Sequence, residues 1–400
     1  MPVFDPELTY LLLIFALMVV PRAIQRFRVP APITCLALGM AAVLVFGAPP
    51  HDGTVSLLST LGIASLFVFA GLEVEPADFK RGGWPLIGHV VLRLVSLAGV
   101  TWFAMRYAGL GWQAGALLAL ALLTPSTGFI LENLPSLDLD ESERFWIRLK
   151  AISSELLALG LLFVVLQSGS VWNLLGSSAA LAAMMLGLPI LFIGLGRWVI
   201  PHARGSEFSL LVMVGVVAST LSYKLGVYYL VGAFLTGVVA RSLRRRMPSL
   251  ASDENLHAIR MFASFFVPFY FFHAGMGVPG GALTLKALAA GLALSLVFLP
   301  ARIAMVWAQR RFIAGESARA SLNVAVALLP TLIFTLVLAT ILRERFQIPD
   351  WLYGALLVYA VSSTLLPSLA LRRAFGIEMP AATAPDQSGR RASQSDASVS

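Results

Sequence analysis

Residues 122–131 read LLTPSTGFIL and residues 327–339 read ALLPTLIFTLVLA, two apolar runs each interrupted by a proline, Pro125 and Pro330. A proline inside a helix removes a backbone donor and clashes with the preceding turn, so in a membrane-length helix it opens the hydrogen-bond ladder. Each run is the middle member of a trio of apolar segments: 84–106, 113–133 and 145–167 in the first half, then 283–308, 319–342 and 350–371 in the second. A similar helix end precedes each trio, LFVFAGLEVEP at 66–76 and FYFFHAGMGVP at 269–279, with Gly71 and Gly275 at matching places. Because the first ends inside and the second outside, the trios read as inverted repeats, each with a broken middle helix. Inverted repeats of this kind place a transport site at their interface.

The rest of the chain agrees with a membrane location. Hydrophobic residues make up 58% and charged residues 12% of the 400, and mean hydropathy is +0.83, which excludes an ordinary soluble chain. A bilayer core of about 30 Å needs about 20 apolar residues per helix. The remaining segments of that kind are 7–24, 31–47, 54–73, 172–199, 206–222, 225–241 and 256–278, so an all-α polytopic membrane protein of thirteen transmembrane helices is expected. With the N-terminus outside and the C-terminus inside, twenty of the 29 basic residues face the cytoplasm, among them Lys80, Arg81, Lys150, Arg204, Arg310, Arg372 and Arg373, against five outside. The tryptophans fall near predicted span ends, as interfacial indoles do. Residues 377–400 are polar and Ser/Ala-rich and read as a disordered cytoplasmic tail, too short for a nucleotide-binding regulatory domain.

Several chemistries are excluded. One cysteine, Cys35, and five scattered histidines offer neither a disulfide framework nor a zinc site, so no metal beyond a transported cation and no cofactor is expected. The clustering of basic residues in short loops is the bilayer's signature, not a nucleic-acid binder's. No phosphate loop or hydrolase constellation is present, so the chain does not read as an enzyme.

Ionisable residues at membrane depth are costly and are functional candidates by default. Glu155 lies near the middle of the sixth span, in RFWIRLKAISSELLALGLLFVV at 144–165, with Ser153 and Ser154 as neighbouring neutral oxygens. A buried carboxyl binds a proton and a metal ion in competition. Its alternative reading is an acid one turn inside the cytoplasmic interface, solvated beside Lys150. Arg93 in the fourth span and Arg302 in the eleventh occupy corresponding repeat positions, and either is a candidate basic partner for Glu155. His89, one turn before Arg93, and His273 read as hydrogen-bonded histidines between helices, with a proton relay as the second reading. Thr124, Ser126 and Thr127 flank Pro125, and together with Ser153, Ser154 and the freed carbonyls they are candidate ligands of a cation, while Thr331 marks the second break beside Pro330.

The order of these motifs resembles the monovalent cation:proton antiporter superfamily, in particular its bacterial Kef-like and sodium-antiporter branch. Further matching stretches are LLLIFALMVVPRAIQRFRVPAPITCLALGM at 11–40 and LGVYYLVGAFLTGVVARS at 225–242, so the likeness covers nearly all of residues 7–376. The resemblance implies a homodimer with a core of two broken, crossing helices that slides against a scaffold by an elevator mechanism. It implies scaffold helices in 1–83 and 201–282, core helices in 84–170 and 283–376, and a linker helix in 171–200. In one register Glu155 matches the carrier acid and Ser154 its neighbour, and LLALGLLFVV then aligns without a gap. In another, Glu155 is a structural acid paired with Arg302, and Gly160 stands where the carrier acid belongs. The chain departs from the family pattern in lacking a paired carboxylate, in using Glu for Asp, and in having Thr331-Leu332-Ile333 where Arg-Gly-Glu is often found.

Three functions are expected in that order. The first is exchange of Na+ or K+ for H+ across a bacterial inner membrane, electroneutral because one carboxyl alternates between one proton and one cation. The second is proton-coupled transport of a small anion or carboxylate, since Arg93 and Arg302 outweigh Glu155. The third is a channel or sensor without exchange.

Overall fold

With no water in the hydrocarbon core, every backbone N–H and C=O must be satisfied within the chain, and apolar segments of this length become helices. The computed structural model describes residues 6–45, 47, 52–203, 205–225 and 229–371, and among them the regular structure is helical throughout. The helices are α1 (Pro6–Gln25), α2 (Ala31–Leu44), α3 (Gly53–Leu72), α4 (Pro76–Tyr107), α5 (Trp112–Leu123), α6 (Thr127–Asn133), α7 (Glu141–Gln167) and α8 (Val171–Trp198). They continue as α9 (Glu207–Lys224), α10 (Tyr229–Ser242), α11 (Asp253–Met276), α12 (Leu285–Ala308), α13 (Ala318–Ala327), α14 (Leu332–Phe346) and α15 (Asp350–Ala370). Arg204, Arg372, Arg373 and the 377–400 tail lie outside the described residues.

Within the described residues every apolar segment marked in the sequence falls on a helix, and the two that carry Pro125 and Pro330 fall on helix pairs, α5/α6 and α13/α14. The count of thirteen crossings is a finer statement than helix length supports. Among the described residues nine helices are long and apolar enough to span, or ten if α13 and α14, bent by 43° at their break, count as one. Helices α2 and α10 are apolar but shorter, and α11 begins with the charged run Asp253-Glu254.

Two packed groups frame the centre. In the first, α3 packs on α10 and α11, α2 on α11, and α9 on α10. Small residues permit these close approaches. A Cβ on Gly62 would lie 2.4 Å from the Phe266 carbonyl oxygen on α11, and one on Gly275 would lie 2.2 Å from that of Leu36 on α2. In the second group, α4 packs on α5, α12 on α15, and α14 on both α15 and α5. Helix α4 is kinked at Gly83, whose φ of 47° and ψ of −140° no side-chain-bearing residue adopts readily. The span expected to begin at Trp84 starts at this kink.

Helix α7 starts with a reciprocal capping box. Asp140 accepts from the Glu143 N–H at 2.7 Å, and Glu143 accepts from the Asp140 N–H at 3.0 Å. The other Glu143 oxygen accepts from Asn323 of α13, which ties the two halves together near this end. Two basic residues assigned to cytoplasmic loops are not solvated: Lys150 is 1% and Arg310 is 2% exposed. Arg310 is compensated by an ion pair with Glu316. Lys150 lies ten residues into α7, deep enough to be enclosed by its neighbours.

Candidate functional site

The two breaks meet and complete each other. Pro125 and Pro330 each stop a half-helix, leaving carbonyls at the ends of α5 and α13 and N–H groups at the starts of α6 and α14. The Ser126 N–H donates to the Pro330 carbonyl at 2.7 Å. The Ser126 hydroxyl oxygen accepts from the N–H groups of Ile333 and Phe334 at 3.0 and 3.3 Å, so it caps the start of α14 from the opposite half of the chain. Both of its lone pairs are thereby engaged, and Ser126 is a structural cap where the sequence suggested a cation ligand. The Thr335 hydroxyl donates to the Ala121 carbonyl at 2.7 Å, a second tie across the crossing. The Thr331 and Ser363 hydroxyls share a hydrogen bond of 3.0 Å.

The repeat extends to the arginines. Arg302 on α12 donates to the carbonyls of Leu328 and Leu329, both at 2.9 Å, and to the Tyr359 hydroxyl at 3.1 Å. Arg93 on α4 donates to the Leu123 carbonyl, and the Tyr359 hydroxyl donates to the Leu122 carbonyl at 2.5 Å. Each arginine thus holds the carbonyl end of the half-helix that its own trio breaks, where the helix dipole also favours a cation. Among the described residues neither forms an ion pair with Glu155, which corrects the expectation that one of them holds it. Arg302, at 3% exposure, does not snorkel to water.

Glu155 is fully buried on α7, and among the described residues its carboxyl forms no ion pair and no hydrogen bond of good geometry. The Thr127 hydroxyl and N–H, at the start of α6, lie close to it, although that hydroxyl donates to the Ala151 carbonyl at 3.0 Å. Thr124 is buried beside Pro125. Ser153 donates to the Lys150 carbonyl at 3.1 Å. Ser154 faces His89, with its Oγ 3.1 Å from the ring Nε2. The alternative of a solvated Glu155 beside a solvated Lys150 is therefore overturned for both residues.

Sequence reasoning missed the polar chain behind His89. Lys150 Nζ lies 3.5 Å from His89 Nδ1 and donates to the Gln309 side-chain oxygen, while the Gln309 amide donates to the Pro85 carbonyl at 2.8 Å. The available signal was the spacing of Lys150 and Ser154, one turn apart on a single helix face. Tyr359 and Gln309 carried none. His273 lies on α11 near Asp52, away from this cluster.

Two cavities adjoin the crossing. A small one is lined by His89, Arg93, Pro125, Ser154 and Arg302, together with Val306, Ala325, Leu328 and Leu329. A larger one, about 90 Å³, opens between the α1–α2 turn, α6 and α11, with Gln25, Glu132, Asn133 and Ser264 as its polar walls. Among the described residues no three His, Cys, Asp or Glu side chains gather as a resident metal site.

Comparison with known proteins accords with this geometry. The transmembrane model of the sodium/hydrogen exchanger family matches residues 11–375. The glutathione-regulated potassium-efflux system protein KefC of Escherichia fergusonii is 25% identical over 265 residues, 62% of this chain and 41% of that protein. KefC of Shigella flexneri is 26% identical over the same length, so the chain spans about two fifths of the curated relatives it matches. The structure of the sodium proton antiporter MjNhaP1 from Methanocaldococcus jannaschii at pH 8 superimposes with a TM-score of 0.63, covering 91% of this chain and 95% of that one at 16% identity. The electron-microscopy structure of MjNhaP1 gives 0.67, with 96% and 100% covered, also at 16% identity. At that identity the likeness is one of fold alone.

Proposed function

Since the chain belongs to the sodium/hydrogen exchanger family, whose members are transporters and not enzymes, we propose that it exchanges a monovalent cation, Na+ or K+, for H+ across a bacterial inner membrane. The observation that carries this reading is Glu155: a carboxyl with no exposure and, among the described residues, no ion-pair partner, facing Thr127 at the start of the second half of the first broken helix. An acid in that setting is stabilised by whatever it binds, a proton or a bare cation, and the two exclude each other. Thr124, Thr127, Ser153 and Ser154 are the neutral side-chain oxygens we assign to a cation's shell, since the carbonyls of Leu122, Leu123, Leu328, Leu329 and Pro330 already accept other donors. The engagement of Arg302 with Leu328 and Leu329 supports the register in which Glu155 is the carrier acid, because it leaves the carboxyl unclaimed.

The mechanism proposed is an elevator in a homodimer embedded in lipid, with thirteen spans running from N-out to C-in. The core is 84–170 and 283–376, the scaffold 1–83 and 201–282, and 171–200 the linker. The bonds between Ser126, Pro330 and the start of α14 support a core that moves as one body, since sliding the halves apart would leave buried donors unpaired. The test is transport in proteoliposomes with an internal pH dye, challenged in turn with Na+, K+, Li+ and a series of anions. Glu155→Gln is expected to abolish cation-driven proton movement while the protein stays folded. Wild-type rates in that variant would sink the assignment.

A further inference from the structure

The larger cavity lies against the same half-helix that reaches Glu155. Helix α6 begins at Thr127, whose hydroxyl and N–H lie close to the Glu155 carboxyl, and it ends at Asn133. Phe129, Glu132 and Asn133 of this half-helix line the cavity, with Gln25 from the end of α1 and Ser264 and Phe271 from α11 across from them. Glu132 follows Thr127 by five residues, about 7.5 Å along the helix axis. The cavity and the buried carboxyl are therefore little more than one helical turn apart, with Phe129 between them in sequence.

Glu132 is the only charged residue in that lining, and it is half-buried. Among the described residues it forms no ion pair. Arg260 of α11 acts on it through space, but that guanidinium is engaged elsewhere, 3.9 Å from the Glu73 carboxylate and 5.0 Å from the centre of the Phe69 ring. Two neutral groups in the wall give protons to carbonyls of their own helices. Asn133 donates to Phe129 at 2.8 Å, and Ser264 donates to Met261 at 3.0 Å. The side-chain oxygen of each is left as an acceptor. A volume of about 90 Å³ has room for several waters. Na+ or K+ fits there with part of its hydration shell intact. A carboxylate in a concavity with low-dielectric walls also concentrates counter-ions at that point.

We propose that this cavity is a holding site for the exchanged cation on its way to Glu155, with the Glu132 carboxylate as the charge that draws it in and Asn133 and Ser264 as neutral oxygens around its remaining waters. The site deepens the cation-exchange reading and rests on it. Glu132 would set the apparent affinity for the cation, and Glu155 the exchange itself.

The test compares wild type, Glu132→Gln and Glu132→Asp in the proteoliposome assay, with the cation concentration varied. Glu132→Gln should raise KM for the cation roughly tenfold and leave the maximal rate within about twofold, the signature of lost binding that is equal in ground and transition states. Glu132→Asp should fall between the two. Because the effect is one of charge, the gap between wild type and Glu132→Gln should narrow as choline chloride is added. Binding is read separately from transport: crystals soaked in Tl+ should show an anomalous peak beside Glu132 in wild type and in Glu155→Gln, and none there in Glu132→Gln. An unchanged KM in Glu132→Gln, or a fall in its maximal rate at constant KM, overturns the proposal. So does a Tl+ map with no peak beside Glu132. A wild-type protein that binds Tl+ beside Glu132 but moves no protons in response to any cation would keep the cation site and remove the exchange reading instead.

Discussion

Arg302 shows how far a single residue could be read from sequence. A basic group at membrane depth was expected to seek the one buried acid, yet it takes three acceptors at the end of α13 and on α15 instead. Two of those acceptors are backbone carbonyls exposed only because Pro330 breaks the helix, and the third is the neutral Tyr359 hydroxyl, so no charged side chain announces them. Each hydrogen bond to a charged group contributes about 1.5–3 kcal/mol. Arg302→Ala is therefore expected to lower the melting temperature by roughly 5 °C or more, with Arg302→Lys intermediate. An unchanged midpoint in Arg302→Ala would mean that water replaces the guanidinium at these carbonyls. Ser126 was read as an ion ligand because its hydroxyl sits in the break, and folding gives both lone pairs to Ile333 and Phe334. Removing a capping oxygen costs about 0.5–2 kcal/mol. Ser126→Ala should show a loss of that size in thermal or denaturant unfolding, and Ser126→Thr should recover most of it.

At the level of the element, apolar length and proline position were legible, and the helices follow them closely. The merging of a short leading helix into α4 across Gly83 was not, because a glycine pair marks a possible kink without fixing its angles. The glycines that let helices touch were visible as residues but not as contacts. Gly62→Ala places a methyl group 2.4 Å from a backbone oxygen of α11, so it should destabilise by about 1–3 kcal/mol. Gly99→Ala meets nothing within 4 Å and should be neutral or slightly stabilising, which makes it the matched control in the same unfolding assay. The start of α3 supplies a pH-dependent case. Partial desolvation pushes the Asp52 carboxyl up, but the hydrogen bonds it accepts from the Val55 N–H at 2.9 Å and the Tyr10 hydroxyl at 2.8 Å outweigh that and hold it below its ordinary 3.8. The stability this adds is present above 3.8 and lost as pH falls through the lower folded value. Asp52→Asn should retain the cap and flatten that acid limb in unfolding measured from pH 6 downwards.

For the whole molecule, the repeat and the membrane class were legible because both are written in apolar length and in two prolines at matching places. The interior of the core was not. Lys150 was counted as a loop charge, since one lysine near a helix start looks the same whether neighbouring helices cover it or not. Its burial bears on stoichiometry. If Glu155 alone alternates between proton and cation, one charge moves each way. The ion gradient that balances a known pH gradient should then not shift when voltage is clamped by an ionophore that does not carry the substrate. A shift would implicate Lys150 or His89 as a second proton carrier. The mutual capping of the breaks also has a consequence for biosynthesis. Ser126 and the N–H groups it covers are 207 and 208 residues apart in the chain. At about 5–20 residues per second the ribosome needs roughly 10–40 s to make the missing half. For that interval Arg93 already holds the Leu123 carbonyl, but the Ser126 N–H and the Ala121 and Leu122 carbonyls lack the partners that come from the second half, so the nascent chain is expected to keep this break hydrated or sheltered until the second proline arrives.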